Sequence, residues 1–402
     1  MSNTLVTCSI VAKEALAILE NMLGFAAAVN RDWSDEYTGN QERGYSPGQT
    51  INIKRPPRYT YRAGRVATPQ ATVETTTPIV LQQGGCDINF TGLERTVSVQ
   101  QFEQKMQAAV ATVVNEIDRQ GLDMARLTTF NAIGTVGTVP ATQAAALAAI
   151  TQMNQRLDEM AAPRDRQRAI ILNPAMNAGL IQGFAGLFNG QEKITSQFGS
   201  GLMVPSLGLS YAMDQNVATH VNGAATATNV NGAGQTGASV TVVAVAGGTL
   251  TKGSVITLPG VNAVNPQSRV STNAPAQFVV TADVLVGATS IPISPAIVTS
   301  GPFQNVTGSP TTGAAFVILG AASASYACNV GFHKDAFTLA MVPMYAPPAG
   351  RGVIDVKQMS DKGLTVKATQ FYDGINDNYI IRLDVLFGWA ATYPELACKI
   401  VA

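Results

Sequence analysis

Apolar side chains return at helical spacing in three stretches. Val11, Ala15, Ile18, Met22, Phe25 and Val29 form a stripe over residues 9–29. Val99, Phe102, Met106, Val110, Val113, Val114 and Ile117 form a longer one. Ser98 and Gln101 make a capping box before it, and Gly121 stands where a helix would close. The spacing predicts a helix about 35 Å long there. A third stripe, Leu147, Ile150, Met153, Leu157 and Met160, follows Pro140. Ala169–Leu172 is a continuous apolar run halted by Asn173-Pro174, which predicts a short buried strand, and a glycine-rich helix is expected to run on to Asn189. Near the C-terminal end, Val353–Val356 and Leu364–Ala368 are expected to pair around Ser360-Asp361-Lys362-Gly363. Tyr379–Phe387 then forms a further strand with Arg382 and Asp384 on its opposite face.

The middle of the chain has a different texture. From Gln215 to His333 there are 119 residues and only three charges, Lys252, Arg269 and Asp283. Short β-branched runs recur between Gly, Pro and Asn: Ser239–Val245, Ser254–Leu258, Gln277–Val280, Ser290–Ile293 and Ala315–Leu319. Such spacing predicts a small all-β, barrel-like domain inserted into sequence of ordinary composition.

A second unusual stretch lies earlier. Arg43, Lys54, Arg55, Arg58, Arg62 and Arg65 fall between Glu42 and Glu74 without an intervening acid. Ile51-Asn52-Ile53 and Tyr59-Thr60-Tyr61 alternate around Pro56-Pro57, and Thr75-Thr76-Thr77 can return, so the region reads as a long two-stranded excursion. Its own apolar content is small, so it must pack on something outside itself.

Composition narrows the function classes. Charged residues make up 13% of the 402, against roughly 25% in an ordinary globular chain. Hydrophobic types reach 46%, the reverse of a disordered chain. Lysine plus arginine equals aspartate plus glutamate at 26 each, which argues against a polyanion binder, and no apolar run is long enough to cross a membrane. Lys13, Glu14 and Glu20 interrupt any secretory core, so synthesis in the cytosol is expected. Cys8, Cys86, Cys328 and Cys398 are scattered, which fits reduced, buried thiols rather than a disulfide framework or zinc site. So little charge on so large a chain suggests that much of its surface is covered by other chains.

A search for chemistry yields no enzyme. His220 and His333 are the two histidines, each without a partner at motif spacing, and nucleophile-elbow, zincin and P-loop signatures are lacking. Glycine-rich stretches such as Gly232–Gly237 lie in the β segment and read as turns. Asp158 and Glu159 near Arg164, Asp165, Arg166 and Arg168 read as a solvated helix end or subunit-edge salt bridges. Asp373–Asn378 lacks the closing glutamate of a calcium loop and reads as a strand-connecting turn. No catalytic, cofactor-binding or metal-binding residue is assigned. The basic excursion, with Tyr45, Tyr59 and Tyr61 interleaved, has two readings: a single-stranded nucleic-acid surface, or a loop that docks on another copy. The zero net charge favours docking. Lys54, Arg55, Arg58, Arg62 and Arg65 would then meet the acidic counterpart Asp32, Asp35, Glu36 and Glu42 of a neighbour.

The order of these parts resembles the HK97-type major capsid proteins of tailed bacteriophages, and the inserted β segment resembles that of the coat proteins similar to phage P22's. Local stretches agree: Tyr211–His220 before the insertion, Leu250–Val261 with Val264-Asn265-Pro266 within it, and Phe332–Phe337 followed by Pro343 at its exit. Leu386-Phe387-Gly388-Trp389 and Tyr393-Pro394-Glu395 resemble the family's C-terminal end. The resemblance implies an α+β HK97-type fold with an N-arm at 1–35 and an E-loop at 40–82. It implies a peripheral domain of 83–131 and 355–390 around a spine helix, an axial domain of 132–215, 331–354 and 391–402, and an inserted β-barrel domain at 216–330. It further implies a non-enzymatic protein that self-assembles into pentamers and hexamers around double-stranded DNA. A scaffolding protein and a portal would serve as assembly partners, without a membrane, in the host cytoplasm and then in the virion. A non-viral shell of the same fold packaging protein cargo is the alternative. In another branch of the fold an E-loop lysine bonds covalently to an asparagine of another subunit; Lys54 is the only E-loop lysine here, but P22-like coats are not known for that chemistry.

Overall fold

The structure, a computed structural model, describes Lys13, Ala15 and residues 24–32, 50–62, 64–67, 69–91, 101–184, 205–345, 353–361 and 364–402. It is mixed α+β and divides into two compact units. One comprises Met1–Ile53, Thr76–Gly121 and Phe337–Ala390; the other comprises Lys54–Thr75, Leu122–Ala336 and Ala391–Ala402.

The first unit is built on an antiparallel sheet. Val353–Asp361 pairs with Leu364–Asp373, which pairs with Asn378–Ala391. Gln82–Thr91 then runs along that last strand from Phe387↔Gln82 to Asn378↔Thr91. The C-terminal pairing expected from sequence is therefore present, with each strand longer than the apolar pattern alone suggested. Lys362-Gly363 at the turn lie outside the described residues. Ile51, Ile53, Ile79 and Leu81 bury themselves against Ala340, Val342 and Ala390, so the root of the excursion is anchored in this core. Within Thr50–Arg55, Ile51 and Ile53 point inward while Asn52 and Lys54 point outward, the two-residue alternation of a half-buried strand.

The long helix differs from expectation in an informative way. It spans Gln101–Thr128, 28 residues or about 42 Å, and passes straight through Gly121. Glycine is there for space rather than for termination. A Cβ on Gly121 would lie 2.6 Å from the Trp389 ring and 2.8 Å from that of Phe25. Those rings stack with centroids 5.2 Å apart, and the Trp389 indole donates to the Ile117 carbonyl at 3.2 Å. One turn away, the buried Asp118 carboxylate accepts the Gly24 and Ala26 amides at 2.7 and 2.9 Å. It thereby supplies the cap that Gly24, with no side chain, cannot give the short helix Phe25–Ala28. Of the N-terminal helix expected over 9–29, Val11, Ile18 and Met22 lie outside the described residues, as does Ser98.

The second unit holds a six-stranded mixed sheet. Its order is Ala132–Ile133, Ala397–Val401, Ser325–His333, Arg168–Leu172, Ser210–Met213, with Thr219–Val221 also pairing to Ser325–His333. The helices Gln143–Glu159 and Pro174–Phe184 pack on it through Ile150, Met153, Leu157, Met176 and Leu180. Thr142, whose side chain accepts the Ala145 amide, starts the first of them as the Pro140 signal anticipated.

Residues 216–330 contain a five-stranded antiparallel sheet in the order Val317–Ile318, Val255–Val264, Ser271–Val280, Ser290–Ile297, Gly237–Thr241. Single bridges from Asn229 to Ala315 and from Val230 to Val242 link the regions of its two edges. Val230, Val240, Ile256, Phe278, Ile291 and Phe316 fill its core. Two expected strands shrink, Ser239–Val245 to Gly237–Thr241 and Ala315–Leu319 to Val317–Ile318. Two grow to ten residues, because alternating burial continues past Pro259 and before Gln277.

Candidate inter-subunit interface

The excursion departs from a continuous hairpin. Thr50–Arg55 pairs with Thr75–Val80, but Tyr59-Thr60-Tyr61 is not a strand. Pro56 and Pro57 remove two ladder donors in succession. Side chains bridge the arms instead. The Gln70 amide donates to the Thr60 carbonyl and accepts its N–H at 2.7 and 2.9 Å, and the Tyr59 and Thr72 hydroxyls meet at 3.0 Å.

The five cations have distinct surroundings. Lys54 pairs with Glu74 at 3.3 Å in open solvent, a contact of little energetic weight. Arg55 donates to the Ala391 carbonyl at 3.4 Å, with its guanidinium 5.7 Å from the Tyr393 ring centroid. Arg58 reaches the Glu395 carboxylate at 2.7 Å and lies 5.8 Å from the Phe303 centroid. Both arginines thus reach the 391–395 connection, three residues apart on the chain as a proline-stiffened segment would present them. Arg62 folds back on the Gly64 and Val66 carbonyls, and Arg62 and Arg65 are exposed. Of the acidic counterpart, Asp32 is an exposed turn residue whose N–H donates to the Asn30 side chain at 2.9 Å. Asp35, Glu36 and Glu42 lie outside the described residues. The arginine pair is therefore half committed within its own chain, while Arg62 and Arg65 face solvent beside Tyr61 and Val66, which are 93% and 82% exposed.

Three partners of this region were not singled out from sequence. Tyr393 and Glu395 are more than 330 positions from Arg55 and Arg58. Arg269, from the charge-poor segment, donates to the Tyr59 and Pro302 carbonyls at 2.8 and 3.4 Å. Its being one of three charges in 119 residues was the one available signal.

A family model described as P22 coat protein, gene protein 5, matches residues 89–400, more than three quarters of the sequence. The chain belongs to the P22 coat protein family. Comparison of this coat protein with curated protein sequences gives no match. Solved structures similar to it include one titled Mycobacterium phage Che8, 13% identical with a TM-score of 0.48, covering 94% of this chain and 90% of that one. The capsid of cyanophage P-SCSP1u is 10% identical, with a TM-score of 0.44 and coverages of 89% and 84%. A virus-like particle from Pyrococcus furiosus is 9% identical, with a TM-score of 0.41 and coverages of 98% and 97%.

Elsewhere in the coat protein, the titratable groups are tied into structure. The Asp158 cluster is less solvated than the sequence suggested. Arg168 is 3% exposed and binds Asp158 at 2.8 Å and the Pro163 and Ala162 carbonyls. Arg164 also pairs with Asp158, and its hydrogen bond is the main reason that carboxyl sits below the usual range. His333 lies between Asp165 at 3.1 Å and Asp335 at 3.6 Å. Asp373 accepts the Ile375 amide at 3.0 Å and the Asn376 side chain at 2.6 Å, closing a strand-connecting turn on itself. Among the described residues, no group of three His, Cys, Asp or Glu side chains is placed to hold a metal ion.

His220 and Lys399 form a buried polar junction. Arg126 Nη1 stands 2.9 Å from His220 Nδ1, and an arginine only donates, so Nδ1 accepts and Nε2–H faces Ser254 Oγ at 3.2 Å. Lys399 Nζ donates to the carbonyls of Arg126 and Gly253 at 3.2 and 3.3 Å. Burial, then the neighbouring Lys399 and Arg126 charges, lower the His220 pKa to about 4. Burial likewise pulls the Lys399 ammonium below its ordinary value.

Proposed function

We propose that this coat protein assembles into pentamers and hexamers that close an icosahedral shell around double-stranded DNA. In this reading, residues 1–35 form the N-arm and 40–82 the E-loop. Residues 83–131 with 355–390 form the peripheral domain, and 132–215, 331–354 and 391–402 the axial domain of an HK97-type subunit. Residues 216–330 are its inserted domain. The role is structural rather than catalytic, with a scaffolding protein and a portal as assembly partners in the host cytoplasm before the virion is complete. Membership of the P22 coat protein family over residues 89–400 is the observation that carries this reading. The low charge supports it, because many interfaces that each bury small and apolar residues add up to a closed shell. Of the excursion's exposed cations Lys54, Arg62 and Arg65, the last two meet no acidic side chain among the described residues and remain its candidates for meeting an acidic neighbour.

Negative-stain microscopy of the purified protein, with and without its scaffolding partner, tests the proposal. Closed shells of uniform size are expected. Monomers alone under both conditions would overturn it. Nuclease-protected DNA in particles from infected cells separates a genome shell from one that packages protein.

A further inference from the structure

The sequence contains three Asn-Gly pairs, beginning at Asn189, Asn222 and Asn231. The first lies outside the described residues, and the other two have opposite surroundings. Asn222 is buried; its side-chain amide donates to the Leu319 and Ala321 carbonyls at 2.8 and 3.0 Å and accepts the Tyr326 hydroxyl at 3.4 Å. The Gly223 N–H is held by the Thr251 hydroxyl at 3.1 Å, and a Cβ there would overlap the Thr249 carbonyl oxygen. Asn231 and Gly232, by contrast, are both exposed. Neither the Asn231 side chain nor the Gly232 N–H has a hydrogen-bond partner among the described residues. The nearest atom that a Cβ on Gly232 would meet is Gln235 Nε2, 3.7 Å away, so the approach to its nitrogen is open.

We propose that Asn231 is a self-modification site, at which the chain slowly converts a neutral amide into a negative charge. The Gly232 nitrogen loses its proton to hydroxide and attacks the Asn231 side-chain carbonyl carbon. The new C–N bond closes a succinimide ring, and the bond to the side-chain nitrogen breaks, releasing ammonia, which takes up a proton from water. Water then adds to one of the two ring carbonyls and opens the ring to aspartate or isoaspartate. Attacker and target sit on adjacent residues, so ring closure needs no encounter. Gln235 assists from across the loop. Its Nε2 donates to the Asn231 main-chain carbonyl at 2.8 Å, and that carbonyl shares a peptide bond with the Gly232 nitrogen. The hydrogen bond draws electron density from this peptide and eases loss of its proton. The product matters in so neutral a segment. Between Gln215 and His333, Lys252 and Arg269 outnumber Asp283 by one, so a single conversion brings the segment to zero charge. Isoaspartate would also lengthen the main chain by a methylene beside the 2.9 Å bond from the Asn231 N–H to the Thr241 carbonyl.

The test compares the full-length folded protein with the same chain unfolded in guanidinium chloride. Both are held in mildly alkaline buffer, sampled over days, digested and read by mass spectrometry, with fragmentation assigning the site. In the folded chain, Asn231 should gain the amide-to-acid mass at least tenfold faster than Asn222, and unfolding should close that gap because both are Asn-Gly. Folded Asn222 keeping pace with Asn231 would overturn the proposal. So would a folded Asn231 that stays an amide while its unfolded counterpart converts. A protease that cuts before aspartate but not isoaspartate then sorts the products. A mixture of the two is expected from a ring that water can open on either side, and aspartate alone would mean direct hydrolysis without Gly232.

Discussion

Arg58 and Glu395 show how far a single side chain can be committed before a subunit meets a neighbour. Their side chains are 34% and 19% exposed, and the 2.7 Å contact ties the excursion to the 393–396 turn. A double-mutant cycle of Arg58→Ala and Glu395→Ala, read by chemical denaturation, should give a coupling of about 1 kcal/mol. A coupling near zero would leave Arg58 available for a neighbour. His220 gives a pH dependence with a definite sign. Its folded pKa of about 4 lies below the unfolded value of about 6.5, so between those values the unfolded chain binds the extra proton. Stability is therefore fully present above about pH 6.5 and falls as the pH drops towards 4. The groups facing the imidazole are Arg126 on the long helix, Lys399 on its strand, Ser254, Asn222, and Tyr326 and Cys328 on a third element. Thermal melts from pH 7 to 4.5 should show a declining midpoint, and His220→Gln should flatten that decline. An unchanged slope would sink the assignment.

At the level of elements, the sequence was most legible where one periodicity governed a whole segment. The long helix, the Gln143–Glu159 helix and the C-terminal hairpin were visible because Val110, Ile150 or Val366 repeats a simple burial rhythm. It was misleading where a residue answers to a distant partner. Gly121 looked like a helix end, yet its smallness serves Trp389, 268 positions away. The pairing of Arg55 and Arg58 with 391–395 was hidden for the same reason. Gly121→Ala weighs two effects against each other: about 1 kcal/mol gained in helix propensity and about 1–3 kcal/mol lost to overpacking against two stacked rings. A Cβ within 2.8 Å of both rings makes the second win, so denaturation should show a net loss of up to about 2 kcal/mol, and a stabilised variant would refute the packing argument. The β-rich segment 216–330 has its own core but borrows Met160, the Arg156 bond to the Pro275 carbonyl and the reciprocal Gln277–Ala132 pairing. Expressed alone it should unfold cooperatively, at a lower midpoint than in the full chain. A broad, non-cooperative melt by circular dichroism would count against its independence.

For the whole molecule, the zero net charge conceals a division of labour among cations. Those near the 391–395 connection hold the chain to itself, while Arg62 and Arg65 are presented outward beside apolar Tyr61 and Val66. Arg62→Glu with Arg65→Glu should leave circular dichroism and the melting midpoint of the monomer unchanged and lower shell yield at least tenfold, measured by sedimentation. Shells at normal yield would remove these two residues from the assembly interface. The Gly121 notch has a mechanical consequence. To slide the long helix lengthwise by one turn, about 5.4 Å, would bring Ile117 or Ala125 beneath the Trp389 indole, where even a single methyl is refused. Against the Phe25 and Trp389 rings, the helix behaves as a shaft keyed by one slot. A subunit of the proposed shell can adjust by bending at its connections, but not by axial slippage of this helix past those rings.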